Sequence, residues 1–119
     1  AERLGDGGVT IEYDIRKAIA EADAINILRI QLERQKARLF PSMREYFEVF
    51  GVTPAVLEAA PKHCVVMHPG PMNRGVEIGQ EVADGERAVI LEQVTNGVAV
   101  RMAVLFLVAG GNFDASALQ

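Results

Sequence analysis

A single cysteine, Cys64, occurs in 119 residues, which excludes an internal disulfide and leaves no paired spacing for a zinc site. Its place in an apolar run reads as a buried reduced thiol rather than a nucleophile. Basic charge is also short: 12 Lys and Arg face 16 Asp and Glu, a formal net charge of −4. No basic stripe with interleaved aromatics is visible, which argues against a nucleic-acid partner and offers nothing to an anionic membrane surface. Glu2, Arg3 and Asp6 interrupt any apolar leader at the start. The most apolar segment, 98–109, contains Arg101 and is shorter than the ~20 residues a spanning helix needs. The expectation is therefore a cytoplasmic protein with no membrane partner. Repeats and low-complexity tracts are absent too. What is present is ordinary globular composition, 50% hydrophobic and 24% charged, enough for one modest core.

Strand-like and helix-like patterns alternate along the chain. Residues 9–13 predict a strand, after which Asp14 suits the cap of a helix reaching Ala22. Residues 25–28 predict a second strand. Ser42-Met-Arg-Glu45 is a capping-box pattern for a short helix ending near Gly51, and Thr53-Pro54 opens a brief one to Ala60. Cys64-Val-Val-Met67 is the third strand candidate. From about Arg87 to Val108 the pattern is helical, and Asn96-Gly97 inside it calls for a packing or ligand-side reason. Connections of this length imply parallel strands in a three-layer α/β sheet. Gly5-Asp-Gly-Gly8 and the tail 110–119 read as flexible.

Two segments carry chemistry. The third strand leads into His68-Pro-Gly-Pro-Met-Asn-Arg-Gly-Val-Glu-Ile78, where prolines flanking Gly70 remove two N–H donors and leave the carbonyls of Pro69 and Gly70 without ladder partners. Such a loop is either a rigid turn or a set of backbone acceptors for a ligand, and ligands of open α/β sheets bind at the carboxyl ends of strands. Beyond the second strand, Arg29 and Gln31 are two apart, on one side of an extended backbone. Arg29 offers a planar fork for a carboxylate or phosphate, and Gln31 a donor and an acceptor. Together they suit a small anionic, polar molecule; a solvated Arg/Glu-rich surface is the plainer alternative.

Arg29-Ile-Gln-Leu-Glu-Arg34, Phe40-Pro-Ser-Met-Arg-Glu-Tyr46, His68 to Ile78, and Gln93-Val-Thr-Asn-Gly-Val-Ala-Val-Arg101 stand in the order and spacing of aspartate carbamoyltransferase catalytic chains. The resemblance runs from about Val9 to Val108, and four ordered blocks are far more specific than one motif. It implies part of a Rossmann-like three-layer α/β fold with a long C-terminal helix. Residues 1–85 would be the later part of an aspartate-binding domain, and residues 86–109 a helix returning to the carbamoyl phosphate domain. The family's Ser-Thr-Arg-Thr loop, its His-Pro-x-x-x-Leu segment and the first strands of the aspartate domain have no counterpart in these residues. The expected object is a portion of such an enzyme, inactive alone, whose strands at Val9 and Ile25 flank one upstream of Ala1.

The resemblance also implies roles. The arginine matching Arg29 grips a carboxylate of L-aspartate, and the glutamine matching Gln31 helps hold the same substrate. Glu33 matches a residue that orients that arginine, a solvent-facing ion pair being the alternative. Arg34 matches an arginine that bridges to the partner domain on closure. Residues 41–46 match a mobile loop that carries substrate-side contacts into place. Pro69 and Gly70 match the residues whose carbonyls face the aspartate amine and the carbamoyl group; many relatives have leucine where Gly70 stands. His68 reads as a satisfied structural histidine, and His63 has no assigned task. Arg74, Glu77 and Arg101 read either as ion-pair members or as ligand contacts. The implied reaction is transfer of a carbamoyl group from carbamoyl phosphate to L-aspartate in pyrimidine synthesis, with no metal or organic cofactor. Homotrimers are implied, in some members with regulatory chains or dihydroorotase. Two other classes stay open, a non-catalytic amino-acid-binding module and a structural fragment. Ornithine carbamoyltransferase is disfavoured, because its His-Cys-Leu-Pro loop is replaced by His68-Pro69-Gly70-Pro71.

Overall fold

A computed structural model describes residues 2–4, 8–31 and 42–111. In chain order the elements are β1 (Glu2–Leu4), β2 (Val9–Ile11), α1 (Ile15–Ile19), β3 (Ala24–Asn26), α2 (Met43–Phe50), α3 (Pro54–Leu57), β4 (Val65–Met67), α4 (Gln80–Ala83) and α5 (Ile90–Val108). The fold is α/β, with a parallel strand pair and a long C-terminal helix.

The site is positioned by β4, which is hydrogen-bonded along both edges. On one side it runs parallel to β3, with Ile25 opposite Val66, and the pairing continues as the Ile27 N–H donates to the Met67 carbonyl at 2.9 Å. On the other side Val66 alone forms a parallel bridge to Ala88, donating to the Arg87 carbonyl at 2.7 Å and accepting from the Val89 N–H at 2.9 Å. Flanked in this way, Cys64 and Val66 have no exposed surface. They join Ile27, Val52, Leu57, Ile78, Val82 and Ile90 in one core, each full burial of a large aliphatic side chain contributing about 1.5–3 kcal/mol. Cys64 is thus a buried free thiol.

The strand expected over 9–13 is shorter and does not join the parallel sheet. β2 pairs antiparallel with β1, Arg3 opposite Thr10, in a local hairpin that the sequence reading did not anticipate. Gly8, at φ +70, supplies the left-handed turn residue, and a short loop costs little closure entropy. β2 ends because the Glu12 carboxylate turns back to accept the N–H groups of Tyr13 and Asp14 at 2.9 and 3.0 Å. Those bonds hold the Glu12 carboxyl below its usual range.

Helix starts follow their caps. The Asp14 carboxylate accepts the Arg16 N–H, the Ser42 hydroxyl the Glu45 N–H, and the Thr53 hydroxyl the Val56 N–H, each satisfying a donor with no partner inside the helix. Ends come sooner than the pattern suggests. α1 stops at Ile19 rather than Ala22, where the Ala22 N–H reaches only three residues back. α3 tightens after Leu57 in the same way, with Ala59 and Ala60 donating to Val56 and Leu57. Arg87, expected inside the long helix, lies before it. Its guanidinium instead caps three carbonyls, those of Cys64 at 2.8 Å, Leu57 at 3.2 Å and Pro61 at 2.6 Å.

α5 differs from everything before it. Only Ile90 is buried, while Met102, Leu105, Phe106 and Leu107 are each more than half exposed. Its 19 residues are long and apolar enough to cross a membrane, by length and composition. The apolar segment 98–109 is the later part of this helix, which begins eight residues ahead of it at Ile90. Gly110 and Gly111 close it, and residues 112–119 of the expected tail lie outside the described residues. The N–H groups of the two glycines donate to Leu107 and Phe106, with Gly110 at φ +86, the paired bonds of a Schellman cap.

Candidate functional site

Because β3 and β4 are parallel, both carboxyl ends emerge at one edge, the usual ligand side of an α/β sheet. The chain beyond β3 carries Arg29, half-buried, and Gln31, exposed; the chain beyond β4 carries Pro69, exposed, and Gly70, half-buried. The Asn73 side-chain amide donates to the Ile30 carbonyl at 3.1 Å, and so ties the second loop to the first between Arg29 and Gln31. Gly70 adopts φ +66, and the Gly70-Pro71 peptide is cis. Among the described residues neither the Pro69 nor the Gly70 carbonyl accepts a backbone hydrogen bond. Glu33 and Arg34 lie outside the described residues. So does Pro41; of the segment matched to a mobile loop, residues 43–46 form the first turn of α2.

Beneath this edge is a buried polar chain. His68 has no exposed surface and Glu77 only 2%. The His68 N–H donates to Gln93 Oε1 of α5 at 2.8 Å. Its ring Nδ1 accepts the Gly70 N–H at 2.9 Å, and Nε2 lies 3.2 Å from Glu77 Oε1. An Nδ1 that faces a donor carries no proton, so the ring proton is on Nε2 and is donated to the carboxylate. Glu77 Oε1 also accepts the Asn73 N–H, while Oε2 is buried without a hydrogen-bond partner among the described residues. Glu77 therefore holds a neutral imidazole rather than forming the ion pair that was one of its two expected roles.

The other open charges separate. Arg74 makes a two-pronged pair with Asp84 at 2.6 and 2.8 Å, which raises the guanidinium and lowers the carboxyl from their ordinary values. Arg101 is exposed on α5, its Nη1 3.5 Å from where a Cβ on Gly97 would stand, an ordinary contact that supplies no packing reason for the small residue there. His63 pairs with Asp23 at the surface, 2.8 Å away.

Beside the site a cavity of about 330 Å³ opens, lined by Ile15, Ile25, Leu28, Tyr46, Phe50 and Glu77 among others. Burial and then the Glu77 carboxylate push the Tyr46 phenol up. Among the described residues no three of His, Cys, Asp and Glu gather as a metal would need. Asn73, Gln93 and Arg87 were missed by sequence reasoning. Gln93 had a signal, an amide in the first turn of an apolar helix.

Residues 1–108 match the family described as aspartate/ornithine carbamoyltransferase, Asp/Orn binding domain. An aspartate carbamoyltransferase catalytic subunit of Gemmatimonas aurantiaca is 62% identical over 108 residues, 91% of this chain and 34% of that protein. Among solved structures, ornithine carbamoyltransferase from Pyrococcus furiosus matches with a TM-score of 0.71 and 31% identity, over 84% of this chain and 32% of that one. Aspartate transcarbamoylase from Trypanosoma cruzi, in complex with N-(phosphonacetyl)-L-aspartic acid, matches with a TM-score of 0.63 and 27% identity, over 76% of this chain and 27% of that one. The chain spans about a third of the length of the curated relatives it matches. With strand ends, loop and helix arranged as in these proteins, the chain belongs to the aspartate/ornithine carbamoyltransferase family, within its Asp/Orn binding domain.

Proposed function

We propose that this chain is the aspartate-binding part of an aspartate carbamoyltransferase catalytic subunit. In company with a carbamoyl phosphate domain it transfers a carbamoyl group to the amine of L-aspartate, giving carbamoyl-aspartate and phosphate for pyrimidine synthesis in the cytoplasm. The observation that carries this reading is the meeting, at one sheet edge, of the Arg29–Gln31 segment with the loop that carries Pro69 and Gly70, whose carbonyls accept no backbone hydrogen bond among the described residues. The Arg29 fork takes a substrate carboxylate and Gln31 holds its polar remainder. The two carbonyls orient the attacking amine and take up its growing positive charge, which is electrostatic stabilisation with no side-chain acid or base. Glu33 orients Arg29 and Arg34 bridges to the second domain on closure. The exposed apolar surface of α5 is covered by that domain, in a homotrimer that in some relatives is joined by regulatory chains or dihydroorotase.

The test is a chimera in which residues 1–108 replace the matched third of the Gemmatimonas enzyme. It should form carbamoyl-aspartate and leave ornithine unchanged. Arg29→Lys keeps the charge but loses the fork, and should lower kcat/KM for aspartate on the order of 10- to 100-fold through both parameters. Near-unchanged kinetics would remove Arg29 from the site. Aspartate binding without turnover would favour a non-catalytic module, and turnover of ornithine would overturn the substrate.

A further inference from the structure

The reaction outlined above gives His68 no proton to move, yet its ring is wholly buried and touches the backbone that presents the carbonyls. We propose that His68 is a positioning residue: its bare Nδ1 holds the Gly70 N–H and thereby aims the Pro69 carbonyl at the substrate amine. This rests on the reading of the site as a carbamoyltransferase centre. The argument is one of peptide geometry. The Gly70 N–H and the Pro69 carbonyl belong to a single planar unit, and this peptide is not cis, so the two groups point in opposite directions. Fixing the N–H on Nδ1 at 2.9 Å fixes the carbonyl away from the ring.

Among the described residues little else fixes that plane. Gly70 has no side chain, a Cβ built on it would meet nothing within 4 Å, and Pro69 is exposed. The histidine, by contrast, is anchored through its backbone N–H and through ring Nε2. The Gln93 amide oxygen takes the His68 backbone N–H, Glu77 Oε1 takes the Nε2 proton of the ring, and Glu77 is itself held by the Asn73 N–H. Glu77 thus fixes the tautomer: with the proton drawn to Nε2, Nδ1 stays an acceptor. A proton on Nδ1 would set donor against donor at Gly70 and release the plane.

Two amide substitutions divide the ring's functions, to be read in the 1–108 chimera of the Gemmatimonas enzyme. Asparagine places an oxygen where Nδ1 accepts; glutamine places an N–H near where Nε2 donates and leaves the Gly70 N–H without its acceptor. His68→Gln should lower kcat about 100-fold, the cost of misplacing a group by about 1 Å, with the KM for aspartate moving far less. His68→Asn should recover kcat to within about tenfold of the parent, because it restores the aim. Equal losses in both variants, or a loss confined to KM, would overturn the proposal. An inactive unsubstituted chimera would instead sink the functional reading, and this proposal with it. Long-range ¹H–¹⁵N NMR of the unsubstituted chimera needs no variant to fold. It should find the His68 proton on Nε2, and a proton on Nδ1 would overturn the proposal whatever the kinetics show.

Discussion

Val66 in β4 has no exposed surface, and its N–H and carbonyl both bond to residues 87 and 89. Leu105 in α5 is 66% exposed, with Phe106 and Leu107 beside it also more than half open. The two regions are joined by little more than Ile90 and the Gln93 amide, yet they solve opposite problems. Around β4 the chain closes on itself, to the point that Arg87 spends a guanidinium on three loop carbonyls. Along α5 the sequence supplies a surface for something else to cover, as a helix apolar all round requires a surrounding partner. The candidate site belongs to the first region, and α5 contributes to it only through its first turns.

The largest expected effect separates these regions directly. Ile78→Ala, at a position with no exposed surface, should cost about 3 kcal/mol in urea unfolding of the 119-residue chain. Leu105→Ala removes as many carbons and should cost less than about 0.5 kcal/mol there, but about 2 kcal/mol or more in a full-length enzyme that covers the helix. A large loss from Leu105→Ala in the 119-residue chain would mean that copies of this chain already bury α5 against one another. Gel filtration over a range of concentrations would then show it.

Arg87→Met should come next, at about 2–3 kcal/mol, because three half-buried carbonyls lose a charged donor together. A cost under about 0.5 kcal/mol would show that water replaces the guanidinium and that this part of the packed region is wetter than its burial suggests.

Why some features were legible and others not follows from the range of the forces involved. The Ser42 and Thr53 caps act within three residues, so the helix starts at Met43 and Pro54 could be read directly. The runs at Ile25 and Val65 are dense enough in β-branched residues to mark strands wherever they pair. β1 and α4 are three and four residues long, too short for any periodicity, and Gly79 at the head of α4 supplies no side-chain cap. The start of α5 at Ile90 depends on Ala88 bridging to Val66, a partner 22 positions back that no local pattern announces. In the site, Arg29, Gln31, Pro69 and Gly70 could be named because each carries its chemistry alone. The links between them, Asn73 to Ile30 and His68 to Glu77, are made in space. Glu33 and Arg34 lie outside the described residues.

Gly70→Leu tests the same division on a smaller scale. The resemblance, with leucine here in many relatives, implies only that backbone chemistry carries over, and space permits a side chain, since nothing among the described residues stands within 4 Å of a Cβ. The backbone does not, because φ is +66, where an L side chain costs about 1–2 kcal/mol. The variant should lose about 1 kcal/mol of stability in urea unfolding while the chimera keeps measurable activity, because the carbonyl acceptor survives. A loss of activity with no loss of stability would mean that leucine re-aims the loop instead of straining it.

The smallest effect belongs to the exposed rim of the packed region. Arg74 and Asp84 meet in a two-pronged pair, but their side chains are 41% and 55% exposed, and such pairs contribute little because water and salt screen them. Arg74 holds the Asp84 carboxyl below its ordinary value near 3.8, so folding favours the ionised form. The contribution is therefore present above the unfolded value and lost as the pH falls through the lowered folded one. Asp84→Asn should lower the urea midpoint slightly at pH 6, and the gap between the two proteins should narrow progressively below about pH 4 and shrink further in high salt. A gap that persisted unchanged through acid and salt would show Asp84 acting by shape at the end of α4, where its N–H returns to Gln80. The rim would then be organised by backbone capping, as the buried region is, rather than by charge.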